Sequence, residues 1–139
     1  MKTMQMTVEP VPGQASTTIL GLIGELDASN CESVIAKAKE LYSSGTRRLF
    51  VDMGELNFMS SSGLVALNSI ILLMRGENLP DPQAGWAAFH AFDWERDSSP
   101  QSQVKLVNPQ PKVLLSLQKT GIDKFFEIYT NRQTALASL

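Results

Sequence analysis

The stretch FMSSSGL at residues 58–64 decides the fold, because it joins two patterns of different period. Before it, the apolar run from Arg48 to Met53 is typical of a buried strand. After it, apolar residues recur at helical spacing, at Leu64, Val65, Leu67, Ile70, Ile71 and Met74. Three consecutive serines, Ser60, Ser61 and Ser62, therefore stand where a helix is predicted to begin.

The first turn of a helix exposes backbone N–H groups that have no partner within the helix. Such groups accept a serine oxygen as a cap, and they favour an anion or a phosphate for the same reason. The serine triplet is therefore either a plain helix cap or a switch that phosphorylation would operate. Both interpretations stay open from these residues alone.

Length and composition exclude several classes of protein. A chain of 139 residues is long enough for a single domain, residues 1–139, with a real core. The net charge of −2 and the lack of basic runs argue against binding nucleic acid or an anionic membrane. Cys31 is the only cysteine, so neither a disulfide nor a cysteine metal site is expected. Because no apolar run could span a bilayer, we expect a cytoplasmic protein without direct membrane insertion.

The order of the remaining elements predicts an α/β fold. Strands are expected at residues 4–11, 17–23, 49–53, 104–107 and 128–129, with a short turn between residue 53 and the serines. Helices are expected after Ser29 or Asn30, at the serine triplet, at Pro111, and after Thr130 or Asn131. A segment at about 76–103, rich in Pro, Gly and Ser, interrupts this order and is interpreted as an insertion.

Several motifs in this order together resemble the STAS domains, and among them the bacterial anti-sigma factor antagonists. They are Gly24-Glu25-Leu26-Asp27, Phe58-Met59 with Ser61-Ser62-Gly63-Leu64, Leu106-Val107-Asn108-Pro109, and Thr120-Gly121-Ile122 with Phe125-Phe126. The resemblance implies a STAS-like mixed sheet of about five strands with helices packed on one side.

The resemblance also implies a function without catalysis or a cofactor. Members of the family bind an anti-sigma factor that is also a serine kinase, and phosphorylation of one serine switches them off. That serine corresponds to Ser61, the first of the Ser-Ser-Gly motif. Asp27, Ser60, Ser62 and Gly63 are then expected near the partner-binding surface, and assembly into a homodimer stays open.

Two other functions are compatible with parts of the sequence, that of a serine hydrolase and that of a scaffold. A serine hydrolase would need a base beside its nucleophile. The only histidine, His90, lies in the insertion and far in sequence from the serines, so we do not expect an enzyme. The aromatic residues from Trp86 to Trp94 in the same insertion form either its own small core or a patch that docks a partner.

The family usually has an acidic residue where this chain has Ser60. This difference favours the alternative of a non-switching scaffold or a subunit of a signalling or membrane-transport complex.

Overall fold

The computed structural model describes residues 4–74, 101–121, 124 and 126–138. Its elements are, in chain order, β1 Met4–Val11, β2 Gln14–Leu26, α1 Cys31–Ser43, β3 Arg48–Met59, α2 Ser61–Met74, β4 Gln101–Val107, α3 Pro111–Thr120, β5 Phe126–Tyr129 and α4 Arg132–Ala137. The predicted alternation of strands and helices is confirmed over these residues.

The five strands that the structure describes form one mixed sheet in the order β1-β2-β3-β4-β5. A tight turn joins β1 to its antiparallel neighbour β2, and Gly13 supplies the positive φ of 79° that this turn requires. The pairs β2–β3, β3–β4 and β4–β5 are all parallel. Parallel neighbours need a crossover connection, and α1, α2 and α3 each lie in one of these three connections.

Alternating side chains divide the sheet into two faces. On one face, α1, α2 and α3 cover residues such as Leu20, Val51 and Leu106, which are fully buried. On the opposite face, Ala135 of α4 packs with a smaller cluster, Val11, Ile19, Phe50 and Val107. The prediction of helices on one side therefore describes the first three helices, and the short α4 adds a partial layer to the other side.

Four strands are longer than the sequence predicts, among them β2, which spans Gln14–Leu26 and not only 17–23, and β5, which begins at Phe126 and not at 128. β3 continues to Met59, so the short turn predicted after residue 53 is wrong. Irregularities in the pairing, between Gly21 and Ile23 and between Gly24 and Glu25, keep β2 paired with β3 as far as Leu26 and Met59. β4 begins at Gln101, so the last residues of the predicted insertion belong to a strand.

Several predicted helix boundaries are confirmed. Pro111 lies in the first turn of α3, and Gly121 ends that helix with a left-handed φ of 78°. Asn131 caps α4, because its side chain accepts a hydrogen bond from the Thr134 amide. The aromatic cluster predicted between Trp86 and Trp94, and the separate His90, lie outside the described residues.

Candidate functional site

The ends of β2 and β3 place the serine triplet. The two strands are parallel and Leu26 pairs with Met59, so Asp27 and Ser60 follow directly at the same edge of the sheet. The Ser60 amide donates a hydrogen bond of 2.9 Å to the Leu26 carbonyl oxygen. This bond fixes the start of α2 against the end of β2.

Ser60 is the residue that precedes α2 and caps it through its backbone. Its carbonyl oxygen accepts hydrogen bonds from the amides of Gly63, at 3.0 Å, and Leu64, at 3.3 Å. Its hydroxyl is buried and has no hydrogen-bond partner among the residues that the structure describes. The side chain therefore does not perform the usual capping role, in which a serine oxygen accepts from an amide of the first turn.

Ser61 and Ser62 begin α2, and they differ in accessibility. The Ser61 side chain is exposed, whereas Ser62 is half-buried. The first turn contains no acidic residue. The unpaired amides at this end carry the positive end of the helix dipole, and a negative group on Ser61 would therefore meet a favourable field.

Gly63 is buried where α2 passes closely over the sheet. A Cβ atom at this position would collide with the Met59 side chain and lie 3.1 Å from two carbons of Leu26. The glycine therefore has a packing role beneath the serines. It supports the predicted site without presenting a side chain to a partner.

Asp27 organises the turn between β2 and α1. Its carboxylate oxygen Oδ1 accepts hydrogen bonds from the amide and the hydroxyl of Ser29, at 2.9 and 2.5 Å. Its carbonyl oxygen accepts from the amides of Asn30 and Cys31. Asp27 is half-buried and directly follows the end of β2, at the same sheet edge as Ser60.

Cys31 begins α1 immediately after this turn. Partial burial, followed by the nearby charge of Glu32, raises the pKa of its thiol. A thiol of raised pKa is mostly protonated at neutral pH and is a poor nucleophile. The expectation of a packing role agrees with its contacts, since Cys31 packs against the main core.

Phe58 is a residue that the sequence reasoning did not include in the site. It lies in β3 directly before buried Met59 and two residues before Ser60, and 41% of the residue is exposed. An exposed aromatic residue next to a partner site is a typical anchor of a protein interface. The signal available in the sequence was its position directly before the serine motif.

The described part of the site offers hydroxyls, a carboxylate, backbone amides and an aromatic ring. Among the residues that the structure describes, no group of three or more His, Cys, Asp or Glu side chains could hold a metal ion. In the same part of the chain, no helix is long and apolar enough to cross a membrane. The arrangement is suited to presenting a small hydroxyl surface to another molecule.

Comparison with known proteins places this geometry in context. Residues 10–78 match the model of the STAS domain. No curated protein matches the chain significantly in sequence. The fold is similar to the crystal structure of an anti-sigma factor antagonist from Mycobacterium paratuberculosis, with a TM-score of 0.67 and 17% identity over 98% of this chain and 93% of that one.

Two further solved structures are similar over most of both chains. One is the anti-sigma factor antagonist SpoIIAA in its unphosphorylated form, with a TM-score of 0.61, 21% identity, and coverage of 95% of this chain and 93% of that one. The other is the Bacillus cell fate determinant SpoIIAA in the phosphorylated form, with a TM-score of 0.62, 19% identity, and coverage of 96% and 98%. At these identities, the similarity establishes a shared fold.

Proposed function

This chain belongs to the STAS domain family, and we propose that it is an anti-sigma factor antagonist. In this proposal it is a cytoplasmic regulatory protein without catalytic activity of its own. It binds an anti-sigma factor that is also a serine kinase, and that kinase switches it off by phosphorylating Ser61. Asp27, Ser60, Ser62 and Gly63 form or support the contact surface, to which we add Phe58.

The observation that carries the proposal is the contrast between neighbouring serines. The Ser60 hydroxyl is buried, whereas the Ser61 side chain is exposed in the first turn of α2. A kinase needs an accessible hydroxyl, so Ser61 is the acceptor that the local geometry favours. Solved structures of similar fold include a phosphorylated form of SpoIIAA, which supports phosphorylation as the type of regulation.

Such a switch does not require the protein to refold. A phosphoserine carries a charge of about −1.5 to −2. At the positive end of a helix dipole this charge is tolerated by the folded protein. At an interface that accepts a neutral hydroxyl, the same charge adds repulsion and a desolvation cost. Losses of about 3–4 kcal/mol would weaken binding by roughly 100- to 1000-fold.

Phosphate mapping tests this assignment directly. The purified protein is incubated with an anti-sigma factor kinase and ATP, and the phosphate is located by mass spectrometry. We expect it on Ser61, with Ser61→Ala blocking the reaction and Ser60→Ala leaving it intact. Phosphate found on neither Ser60, Ser61 nor Ser62 would remove the switch from this proposal.

Binding measurements test the consequence of the charge. Ser61→Asp is expected to weaken binding to the kinase by at least tenfold, because even a single carboxylate adds charge to the interface. Ser43→Asp places the same charge on an exposed residue at the far end of α1 and serves as the matched control. Equal affinity of Ser61→Asp and wild type would contradict the proposed mechanism.

A second function, a non-switching scaffold or complex subunit, is favoured by one observation. Ser60 stands where the resemblance leads us to expect an acidic residue, and its buried hydroxyl makes no hydrogen bond within the described part of the chain. A scaffold would bind its partner equally well with Ser61 as Ala or Asp. Co-purification with a large assembly or a transporter subunit, in place of a kinase, would support this alternative.

A further inference from the structure

A polar cleft lies on the sheet face opposite α1, α2 and α3. It has a volume of about 410 Å³ and is lined by residues of β1, β2 and β3 together with Asn108 and Arg132. Its β-strand lining includes Thr7, Gly21 and Asp52, which alternate with residues that face the main core. This volume is within the range of small-molecule sites, and the cleft is separate from the serine site.

Small residues keep the cleft open. A Cβ atom at Gly21 would collide with the hydroxyl oxygen of Thr7. At Gly54 it would lie 2.9 Å from the Asn108 side-chain nitrogen and 3.2 Å from an Asp52 carboxylate oxygen. Side chains at these two glycines would therefore fill space that the polar lining encloses.

An ion-paired arginine joins three distant parts of the chain at the edge of the cleft. Arg132 donates from Nε to Asp52 and from Nη1 to Glu9, both at 2.6 Å. The second oxygen of Asp52 accepts from the Gly54 amide at 2.9 Å. These bonds hold both carboxylates in place. They also mean that the guanidinium of Arg132 is already paired with two carboxylates of the protein itself.

The charges of the lining select the type of ligand. The cleft has three carboxylates, those of Glu9, Asp52 and Glu55, against the single guanidinium of Arg132. Glu55 is exposed and makes no ion pair or side-chain hydrogen bond with any residue that the structure describes. The lining therefore has an excess of negative charge and of hydrogen-bond acceptors.

An anionic ligand does not fit this balance. It would have to displace Glu9 or Asp52 from Arg132 and then lie beside the released carboxylate. Positively charged groups with N–H donors would instead meet the remaining oxygen of Glu9 and, further along the strands, the oxygens of Glu55. Ammonium and guanidinium groups are the biological cations with this property.

We propose that this cleft binds a small aliphatic amine or guanidinium compound between Glu9 and Glu55. The site lies on the opposite face of the sheet from Ser61, so it does not depend on the function proposed above. A ligand there would contact β1, β3 and Arg132 together, and it would stabilise the arrangement of these elements by binding only the folded state.

Three probes with the same four-carbon backbone test the charge preference. The full chain, labelled with ¹⁵N, is titrated with 1,4-diaminobutane, 1,4-butanediol or succinate while amide chemical shifts are recorded. We expect saturable shifts at Glu9, Gly54 and Glu55 with the diamine, and at least tenfold weaker responses with the neutral and anionic probes. Equal responses to all three probes, or diamine shifts confined to another surface, would overturn the proposal.

Charge variants locate the site. Glu55→Gln is expected to weaken diamine binding about fivefold, and Glu55→Lys more strongly, because a charge close to the ligand is removed or reversed. Glu40→Gln removes an exposed carboxylate from α1, on the other face, and should change affinity less than twofold. Unchanged binding in both Glu55 variants would also overturn the proposal.

Discussion

The Ser60 amide and the Leu26 carbonyl oxygen are joined by a 2.9 Å hydrogen bond that links the start of α2 to the end of β2. Asp27 follows Leu26 and Ser61 follows Ser60, so both residues are held in place by the packed strands β2 and β3. Because these strand ends are already packed, a charge added to Ser61 would change the surface of the protein without rearranging its core. This property is what a switch based on surface charge requires.

Replacing Ser60 with alanine should be nearly neutral for stability. Removing a capping serine usually costs about 1 kcal/mol, but the Ser60 hydroxyl is buried and finds no hydrogen-bond partner in residues 4–74, 101–121, 124 and 126–138. We expect a change within about 0.5 kcal/mol in the free energy of unfolding, measured by urea denaturation. Asn131→Ala is the matched control, because its side chain does accept a capping hydrogen bond. A loss above about 1 kcal/mol for Ser60→Ala would show that the hydroxyl has a partner in solution.

Replacing Gly63 with alanine should destabilise the protein. The added methyl group would collide with Met59 and press on Leu26, which overpacks the core between α2 and the sheet. We expect overpacking to lower the free energy of unfolding by about 1–3 kcal/mol. The better helix propensity of alanine offsets up to about 1 kcal/mol of this loss. Ser61 is exposed in the same helix, so Ser61→Ala serves as a control that adds no group to the core. A Gly63→Ala protein as stable as wild type would show that the Met59 side chain moves aside.

Ser61→Asp should leave the folded protein as stable as wild type or slightly more stable. A carboxylate in the first turn of α2 interacts favourably with the helix dipole, by about 0.3–1 kcal/mol. Urea denaturation at low and high salt measures the effect, which should decrease as salt rises. This result would separate weakened partner binding from unfolding. A clear destabilisation by Ser61→Asp would indicate that the switch acts on the fold.

Arg132 should be coupled more strongly to Asp52 than to Glu9. Both bonds measure 2.6 Å, but the Asp52 side chain is 18% exposed and the Glu9 side chain 49%. Solvent weakens the more exposed pair. Double-mutant cycles with Arg132→Met, Asp52→Asn and Glu9→Gln should give about 1–2 kcal/mol for the first pair and under about 1 kcal/mol for the second. The reverse order would contradict this ranking.

Cys31 should react slowly with an alkylating reagent. Burial raises the pKa of its thiol and the charge of Glu32 raises it further, so less thiolate is present at pH 8 than for a free cysteine. The rate of iodoacetamide alkylation should therefore be below that of a model peptide and should increase as the pH rises. Glu32→Gln should speed the reaction modestly, because it removes one of the negative charges that raise the pKa of the thiol. A rate equal to that of the peptide would indicate an unshifted thiol.

Much of the fold could be predicted from local patterns. The helical spacing after residue 63, Pro111 at the start of a helix and Gly121 at its end depend on neighbouring residues only, and the structure confirms them. The position of Ser61 at a helix start follows from the same kind of pattern. What these patterns could not give is the length of β3, which depends on irregular pairing with β2.

The sequence by itself determined the order of the elements and the serine motif at the start of α2, because propensity and periodicity act over a few residues. Tertiary packing alone explains why the Ser60 hydroxyl is buried, why Ser61 and Phe58 are exposed, and why the last described helix covers part of the opposite face. The ion pairs of Arg132 join residues 80 and 123 positions apart. Such contacts depend on strand register and on how helices pack against the sheet, which no local pattern specifies.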